Sequence, residues 1–181
     1  MSQYHDRGIG LIKEPFEIVS NIARVIRPDL PDEMIEEAVV IRSHRFRQCV
    51  VRPEDSVIAV LRQLKAQGYG LCLISNADVI DIMGWSDSPL SEYFDRVLFS
   101  CEIGLAKPDP AIYHRAMDDM QVKPEDSVFV GDGGSDELAG ARRVGMTTVL
   151  TTQYRWQKDA VIHKLRQDAD YIIHDLEELL K

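Results

Sequence analysis

The sequence predicts an α/β protein in which a parallel sheet is flanked by helices and preceded by a helical segment. Before Gly68, apolar residues recur at three-to-four spacing, which is typical of amphipathic helices. After Gly68, short apolar runs alternate with helical patterns, which is typical of buried parallel strands. The predicted strands are Gly70–Ser75, Arg96–Ser100, Ser127–Gly131, Thr147–Thr151 and Asp170–Ile173.

Three helices are predicted in the part of the chain before Gly68. The first runs from Glu14 and ends before Arg27-Pro28, since proline cannot continue a helix. The second starts at Pro31-Asp32 and carries its apolar residues to about residue 46. The third follows Pro53 and stops at Gly68, because glycine is common just past helix ends.

Length, composition and charge set bounds on the kind of protein. The chain has 181 residues, which suits one domain, or one domain with a small insert, and allows a sizeable core. We predict a helical cap in residues 1–50 and an α/β core in residues 51–181, together in one compact chain. The formal net charge of −9 argues against general nucleic-acid binding, because phosphate contacts dominate that affinity.

The cysteines and the apolar stretches point to a cytoplasmic setting. Cys49, Cys72 and Cys101 show no metal-ligand spacing, and an odd number of cysteines gives no disulfide framework. No apolar stretch approaches the ~20 residues that span a membrane, and the N-terminal MSQYHDRG lacks a signal-peptide core. We therefore expect a cytoplasmic protein without a membrane partner, and leave homo-oligomer formation open.

Polar residues follow three of the predicted strands. Ser75 and Asn76 come after the first strand, Lys107 lies in the loop after the second, and Asp132 and Asp136 come after the third, in GDGGSDELAGA. In open parallel sheets, ligands bind outside the carboxyl ends of the strands. A hydroxyl, an ammonium and two carboxylates are therefore expected to converge on one edge of the sheet.

Each of these residues also has a purely structural interpretation. Ser75 would cap the next helix, Lys107 would be a solvated loop lysine, Asp132 would be a turn residue and Asp136 a helix cap. A nucleotide-binding loop is not favoured by the glycines. They do not form GxGxxG, since residue 136 is Asp, and no GK[ST] follows.

Taken together, the three loops resemble those of the haloacid dehalogenase-like (HAD) hydrolases. The resemblance rests on LISNA with Ser75, on AKPDPAIY with Lys107, and on VFVGDGGSDELAGARRVGM with Asp132 and Asp136. Their order and spacing agree with the family over roughly residues 50–175. The resemblance implies a Rossmann-like parallel sheet flanked by helices, with a small N-terminal helical cap inserted after the family's first strand.

The same resemblance implies a Mg²⁺-dependent phosphatase that acts on a small phosphorylated metabolite. Ser75 and the backbone N–H of Asn76 would bind a phosphoryl oxygen, and Lys107 would neutralise charge on the phosphoryl group. Ser75 and Lys107 are thus the expected catalytic residues. Asp132 would ligate Mg²⁺ through a hard oxygen, with Asp136 assisting directly or through water.

A further helix is expected to start near Ser135 and to aim its positive end at the site. This arrangement suits phosphoryl transfer, where positioning and charge stabilisation supply most of the catalysis. The cap residues would set the choice of substrate, and the sequence offers no signature for it.

The family's nucleophile is an aspartate in a D-x-D pattern directly after its first strand. Asp6 is the early candidate here, but it follows Ser2–His5, which is no buried strand, and residue 8 is glycine. We expect the absent strand to belong between the strand that ends at Ser75 and the strand that ends at Asp132. The segment Gly8–Ile12 and a partner chain are both candidates for that position.

Two hypotheses from different classes follow. In the first, the chain is a HAD-type phosphohydrolase that is N-terminally shortened and inactive in this form. In the second, it is a non-enzymatic relative, a phosphate-binding or interaction protein that keeps the anion pocket. A dehalogenase is a third option, and the carboxylate pair Asp132 and Asp136 argues against it, since a haloacid dehalogenase does not need Mg²⁺.

Overall fold

The computed structural model describes residues 3–154 and 165–181 and confirms the predicted α/β fold. Each strand lies within an apolar run that the sequence marks as a strand. Short runs rich in Val, Ile, Leu and Phe form strands because these side chains suit a pleated, buried surface. The strands are β1 Cys72–Ser75, β2 Arg96–Phe99, β3 Val128–Gly131, β4 Thr147–Thr151 and β5 Tyr171–Ile173.

The three helices predicted before Gly68 are present, with the second running on to Val51, whereas the short helices Gln3–Gly8 and Ser100–Ile103 were not predicted. The helices are α1 Gln3–Gly8, α2 Pro15–Ile26, α3 Asp32–Val51, α4 Asp55–Ala66, α5 Ser100–Ile103, α6 Pro110–Met120 and α7 Glu137–Arg143. Short 3₁₀ turns include Trp85–Asp87, Ser91–Tyr93, Pro124–Asp126, Gly134–Asp136, Arg166–Asp168 and Leu176–Leu180. None of the helices in the described ranges is long and apolar enough to cross a membrane.

Helix α6 shows why a helix starts where it does. Pro110 occupies the first turn, where its missing N–H is not needed. The side chain of Asp109 accepts a hydrogen bond from the backbone N–H of Ala111 at 2.9 Å. The Asp-Pro pair therefore fixes the beginning of α6, three residues after Lys107.

The strands form two separate sheets. β1 and β2 make a two-stranded sheet, and β3, β4 and β5 make a three-stranded sheet with β4 in the centre. Both pairings of β4 are parallel, with Val128 opposite Thr147 and Leu150 opposite Ile172. Parallel pairing brings the ends of β3, β4 and β5 to one edge, so the residues after β3 lie at the carboxyl edge of this sheet.

The chain divides into two compact units. Unit 1 comprises Met1–Glu54 and Leu73–Ala106, and unit 2 comprises Asp55–Cys72 and Lys107–Lys181. This division follows contacts within the chain and does not test the predicted cap of residues 1–50 and core of residues 51–181. That domain assignment stays a prediction.

Unit 1 is held together by apolar side chains of α2 and α3. Ile18 and Val19 of α2 pack with Ile35 of α3, and Ile80 from the segment after β1 joins them with no exposed surface. Burying such side chains contributes about 1.5–3 kcal/mol each. The segment after β1 is therefore anchored in the core of the helical hairpin.

Unit 2 has its core on the faces of β3 and β4. Leu150 of β4 and Tyr113 of α6 are fully buried. The Tyr113 ring packs edge-on against Phe129 of β3, with 5.5 Å between ring centroids. Its hydroxyl donates a hydrogen bond to the backbone carbonyl of Glu137 at 2.8 Å, which ties α6 to the start of α7.

The segment considered for the absent strand adopts another structure. Gly8 ends α1, and the residues up to Ile12 form a turn and a bend rather than a strand. Asp6 lies inside α1. Within the described residues, β1 pairs only with β2 and β3 only with β4, so each has one edge without a partner strand.

We expect Asp170 to make the stability of the protein depend on acid pH. Its carboxylate accepts hydrogen bonds from the backbone N–H and the hydroxyl of Thr148, both at 2.9 Å, and these bonds lower the pKa of Asp170. A lowered pKa stabilises the fold above the unfolded value of about 3.9, and this contribution is lost as pH falls through the folded value. Asp170→Asn should therefore lower the free energy of unfolding near neutral pH.

Urea unfolding across this pH range provides the measurement. The difference between wild type and Asp170→Asn should narrow below about pH 4. Glu125→Gln, at an exposed glutamate of the same unit, is the control and should show no such narrowing. A difference between wild type and Asp170→Asn that stays constant into acid would contradict the assignment.

Candidate functional site

Ser75 and Asn76 belong to unit 1, where β1 ends and a loop begins. Both residues are half-buried, and the residues that follow them form a loop and turns rather than a helix. The alternative that Ser75 caps a following helix is therefore wrong. The next residue, Ala77, is fixed through both backbone groups. Its N–H donates to the Ser100 hydroxyl at 2.9 Å, and that hydroxyl donates to its carbonyl at 3.2 Å.

Lys107 belongs to unit 2 and lies just before α6, joined to Pro108 by a cis peptide bond. Its ammonium donates to Glu137 Oε2 at 2.6 Å, and the two side chains are only 12% and 6% exposed. The ammonium also lies 5.7 Å from the centroid of the Phe129 ring, within the range of a cation–π contact. Lys107 is therefore not a solvated loop lysine, since its charge is held in a fixed, mostly dry position.

Glu137 is the site residue that sequence reasoning missed. Its Oε1 accepts a hydrogen bond from the backbone N–H of Gly133 at 3.0 Å, while Oε2 accepts from Lys107. A Cβ on Gly131 would collide with this carboxylate, so the close approach of β3 to Glu137 requires glycine. One carboxylate thus joins the ammonium of Lys107 to the loop that follows β3.

Tyr113 also holds the start of α7 in place, through its hydroxyl. Burial, together with the nearby charge of Glu137, raises the pKa of the Tyr113 hydroxyl. The hydroxyl therefore stays protonated and serves as a hydrogen-bond donor to the Glu137 carbonyl. This bond satisfies a carbonyl in a region where an unpaired polar group would be costly.

The loop after β3 presents Asp132 and Asp136 to solvent. Asp132 Oδ1 accepts a hydrogen bond from the backbone N–H of Gly134 at 2.9 Å, so the turn role considered for Asp132 is present. Asp136 makes no side-chain cap to the helix after it. The helix expected near Ser135 is present and begins at Glu137, because Ser135 and Asp136 have φ values of 53° and 50°.

These two aspartates are compatible with part of a Mg²⁺ site. Mg²⁺ prefers carboxylate oxygens, and it is commonly held by one or two carboxylates together with waters and substrate phosphate oxygens. Both aspartates are exposed, so water and ligand can reach them. In the described part of the chain, no group of three or more His, Cys, Asp or Glu side chains could hold a metal ion. The donor set thus fits the ion chemically but supplies few of its ligands.

Three of the predicted site residues, Lys107, Asp132 and Asp136, thus lie in unit 2. Lys107 reaches the loop that carries Asp132 and Asp136 through Glu137. The other two, Ser75 and Asn76, lie in unit 1. The assignment of all five residues to one pocket stays a prediction.

Comparisons with known proteins identify the family. The family model described as haloacid dehalogenase-like hydrolase matches residues 8–145, which is well over half of the chain. This chain belongs to the haloacid dehalogenase-like hydrolases. The predicted resemblance is thereby confirmed, and with it the assignment of the chain as a HAD-like hydrolase.

Individual HAD relatives agree with this placement. The chain is 31% identical to a glyceraldehyde 3-phosphate phosphatase from Methanopyrus kandleri over 130 residues, which cover 70% of this chain and 55% of that protein. This chain thus spans little more than half the length of that relative.

Two solved structures share the fold. A HAD phosphatase from Thermococcus onnurineus matches with a TM-score of 0.63 and 26% identity, covering 91% of this chain and 70% of that one. A HAD family enzyme from Bacteroides thetaiotaomicron, in complex with magnesium and inorganic phosphate, matches with a TM-score of 0.64 over 88% of this chain and 79% of that one. The latter is 21% identical, so its likeness shows the fold alone.

We expect Glu137→Ala to destabilise the protein strongly, because it removes a carboxylate that pairs with the buried ammonium of Lys107. Removing one partner of a buried ion pair typically costs about 3–5 kcal/mol, whereas replacing both by apolar residues is often neutral. The free energy of unfolding in urea should therefore fall by about 3 kcal/mol or more in Glu137→Ala, and by less in Lys107→Met/Glu137→Leu.

An exposed ion pair in the same unit provides the control. Arg115 and Asp119 of α6 form a pair at 2.9 Å with 53% and 25% of their side chains exposed. Asp119→Ala should cost less than about 1 kcal/mol, as is usual for surface pairs. Equal losses in Asp119→Ala and Glu137→Ala would show that the Lys107–Glu137 pair is not desolvated as described.

Proposed function

We propose that this chain is the phosphate-binding and Mg²⁺-binding part of a HAD-type phosphohydrolase whose substrate is a small phosphorylated metabolite. The observation that carries the proposal is the buried ammonium of Lys107, held by Glu137 beside the loop with Asp132 and Asp136. The glyceraldehyde 3-phosphate phosphatase relative supports a small phosphorylated substrate. A cation next to exposed carboxylates suits a phosphoryl group that is bound together with a divalent metal ion.

Lys107 would neutralise charge on the phosphoryl group. The ion pair with Glu137 fixes the direction of the ammonium before any ligand arrives, so little reorganisation is needed on binding. A charge in a mostly dry position also acts more strongly than one in water. Glu137 would serve as a positioning residue that holds Lys107 rather than as a group that touches substrate.

Ser75 and Asn76 would supply hydrogen bonds to a phosphoryl oxygen. Ser75 is the last residue of β1 and Asn76 follows it directly, so the end of the strand fixes where these two donors lie in the chain. Hydrogen bonds to a charged acceptor are roughly twice as strong as neutral ones. The two donors would therefore orient the phosphoryl group as well as bind it.

Asp132 and Asp136 would hold the Mg²⁺ ion through their carboxylate oxygens. When bound, the ion supplies positive charge that offsets the charge of the phosphoryl oxygens. The left-handed backbone at Ser135 and Asp136 sets how the second carboxylate leaves the loop. Asp is among the few residues that tolerate this conformation.

We expect this chain to bind inorganic phosphate, with Lys107 as one of the groups that hold it. Lys107→Met should weaken phosphate binding by at least about tenfold in calorimetry, because a charge-assisted hydrogen bond is lost. Glu125→Gln, at an exposed position outside the proposed site, should leave the affinity unchanged. Equal affinity in wild type and Lys107→Met would exclude Lys107 from the site.

Mg²⁺ should bind weakly on its own and more tightly in the presence of phosphate, because Asp132 and Asp136 alone supply few oxygens. Calorimetric titration with Mg²⁺ alone provides the first test, and Asp132→Asn should abolish the signal. Binding in the micromolar range without phosphate would show that other carboxylates complete the site and that the proposed ligand set is incomplete.

We expect little or no turnover of a generic aryl phosphate by the 181-residue chain. Covalent catalysis needs a nucleophile in line with phosphorus, and Asp6, the early candidate, lies within a helix rather than after a strand. Asp6→Asn should therefore leave the rate unchanged. Robust Mg²⁺-dependent turnover that is lost in Asp6→Asn would make Asp6 the nucleophile and overturn this expectation.

The position of Asp6 in helix α1 is also compatible with a second candidate function, a phosphate-binding or interaction protein without turnover. That alternative shares the roles given to Lys107, Ser75 and Asn76. Phosphate binding is expected under both proposals, whereas Mg²⁺-dependent hydrolysis of any phosphorylated metabolite in a broad panel would exclude this alternative.

A further inference from the structure

A network of charged side chains surrounds the loop that follows Ser75 in unit 1. Asp78 has a side chain that is only 1% exposed, and its Oδ2 accepts from Arg7 of α1 and from Arg42 of α3, both at 2.8 Å. Arg42 also donates to Asp81 at 2.8 Å. Three parts of the chain that are far apart in sequence thus meet at a carboxylate three residues after Ser75.

The other oxygen of Asp78 shapes the loop itself. Oδ1 accepts from the backbone N–H of Ile80 at 3.0 Å and more weakly from that of Asp81 at 3.4 Å. The Asp78 backbone N–H in turn donates to Asp81 Oδ2 at 3.0 Å. This is an Asx-type turn, in which a side chain replaces a backbone acceptor and fixes the local conformation.

Both flanks of Asp78 are anchored as well. On one side, Ala77 is held through its N–H and its carbonyl by the fully buried hydroxyl of Ser100. On the other side, Ile80 is fully buried among side chains of α2 and α3. The backbone from Ala77 to Ile80 therefore has little conformational freedom. Helices α1 and α3 contact this segment at Asp78, through Arg7 and Arg42.

We infer that Asp78 is a positioning residue that, with Arg7 and Arg42, orders the loop behind Ser75 and Asn76 and thereby sets the phosphate-binding geometry of these two residues. The inference rests on the proposed function, in which Ser75 and the Asn76 N–H bind phosphate. It goes beyond that function because it places the control of loop geometry in helices α1 and α3.

The positive charges around Asp78 explain why its negative charge is needed to hold the loop, and not only a side chain of the same shape. A buried carboxylate is tolerated when charged partners and hydrogen bonds compensate its lost hydration. Two guanidinium groups face Asp78, and burial raises the pKa of the neighbouring Asp81 carboxyl. An amide at position 78 would keep the turn but lose the charge-assisted bonds, and the loop would be held less firmly.

The test compares Asp78→Asn with wild type in the full chain. Asparagine retains an oxygen for the turn to Ile80, so the local fold is preserved while the charge is removed. We expect hydrogen exchange at the Ala77 and Ile80 amides to become about tenfold faster, and inorganic phosphate to bind about tenfold more weakly. Arg42→Lys should recover part of both properties relative to Arg42→Met.

Ser88→Ala is the matched control, because it removes a different buried link within unit 1. The Ser88 hydroxyl donates to the Val50 carbonyl at 2.7 Å and accepts from the Leu90 N–H at 3.2 Å. This variant should lower the melting temperature without changing phosphate affinity or exchange at Ala77. If Asp78 contributes to stability alone, Asp78→Asn should likewise lower the melting temperature without changing phosphate affinity or exchange at Ala77.

Ser75→Ala separates this inference from the proposed function. If Ser75→Ala leaves phosphate affinity unchanged, the binding role of Ser75 fails, while hydrogen exchange in Asp78→Asn still decides whether Asp78 orders the loop. If Ser75→Ala weakens phosphate but Asp78→Asn does not, the positioning role of Asp78 is overturned. Unchanged exchange at Ala77 and Ile80 in Asp78→Asn would overturn it regardless of phosphate.

Discussion

The buried ion pair between Lys107 and Glu137 is the interaction on which the arrangement of unit 2 depends. A charge in a dry position must be compensated, so Glu137 can turn inward only if an ammonium meets it there. That requirement fixes the loop before α6, the first residue of α7 and the Gly133 N–H at the same point. The absence of a side chain on Gly131 makes the approach sterically possible.

Unit 1 also contains a buried charge that is compensated by groups of opposite charge. There a single buried carboxylate, Asp78, is compensated by two guanidinium groups from separate helices. Replacing a buried ion pair by apolar residues is often neutral or stabilising, so stability alone does not favour either arrangement. In both units the charged groups instead bond to a loop that directly follows a strand. In unit 2 this loop lies at the carboxyl edge of a parallel sheet, which is where ligands bind.

The strands and most helices could be predicted because their determinants are local. An apolar run predicts a strand wherever it lies, and the Asp109-Pro110 pair predicts the start of α6 without reference to the rest of the chain. Glu137 and Asp78 could not be found this way, because their partners lie 30 and 71 residues away in sequence. In the sequence, Glu137 looks like an ordinary acidic residue in the first turn of a helix. The apolar Leu138 that follows it, which is fully buried in the structure, was the only sequence feature indicating that this turn faces inward.

The difference between the proposed hydrolase and the proposed binding protein depends on one group, the nucleophile. Lys107, Ser75 and Asn76 would interact with a phosphoryl group in the ground state as well as in the transition state. Such uniform binding raises affinity without accelerating the chemical step. Turnover requires a nucleophile placed in line with phosphorus, whose attack these fixed donors could then favour. The proposed contacts would therefore account for recognition of a phosphate, and a nucleophile would decide whether recognition leads to hydrolysis.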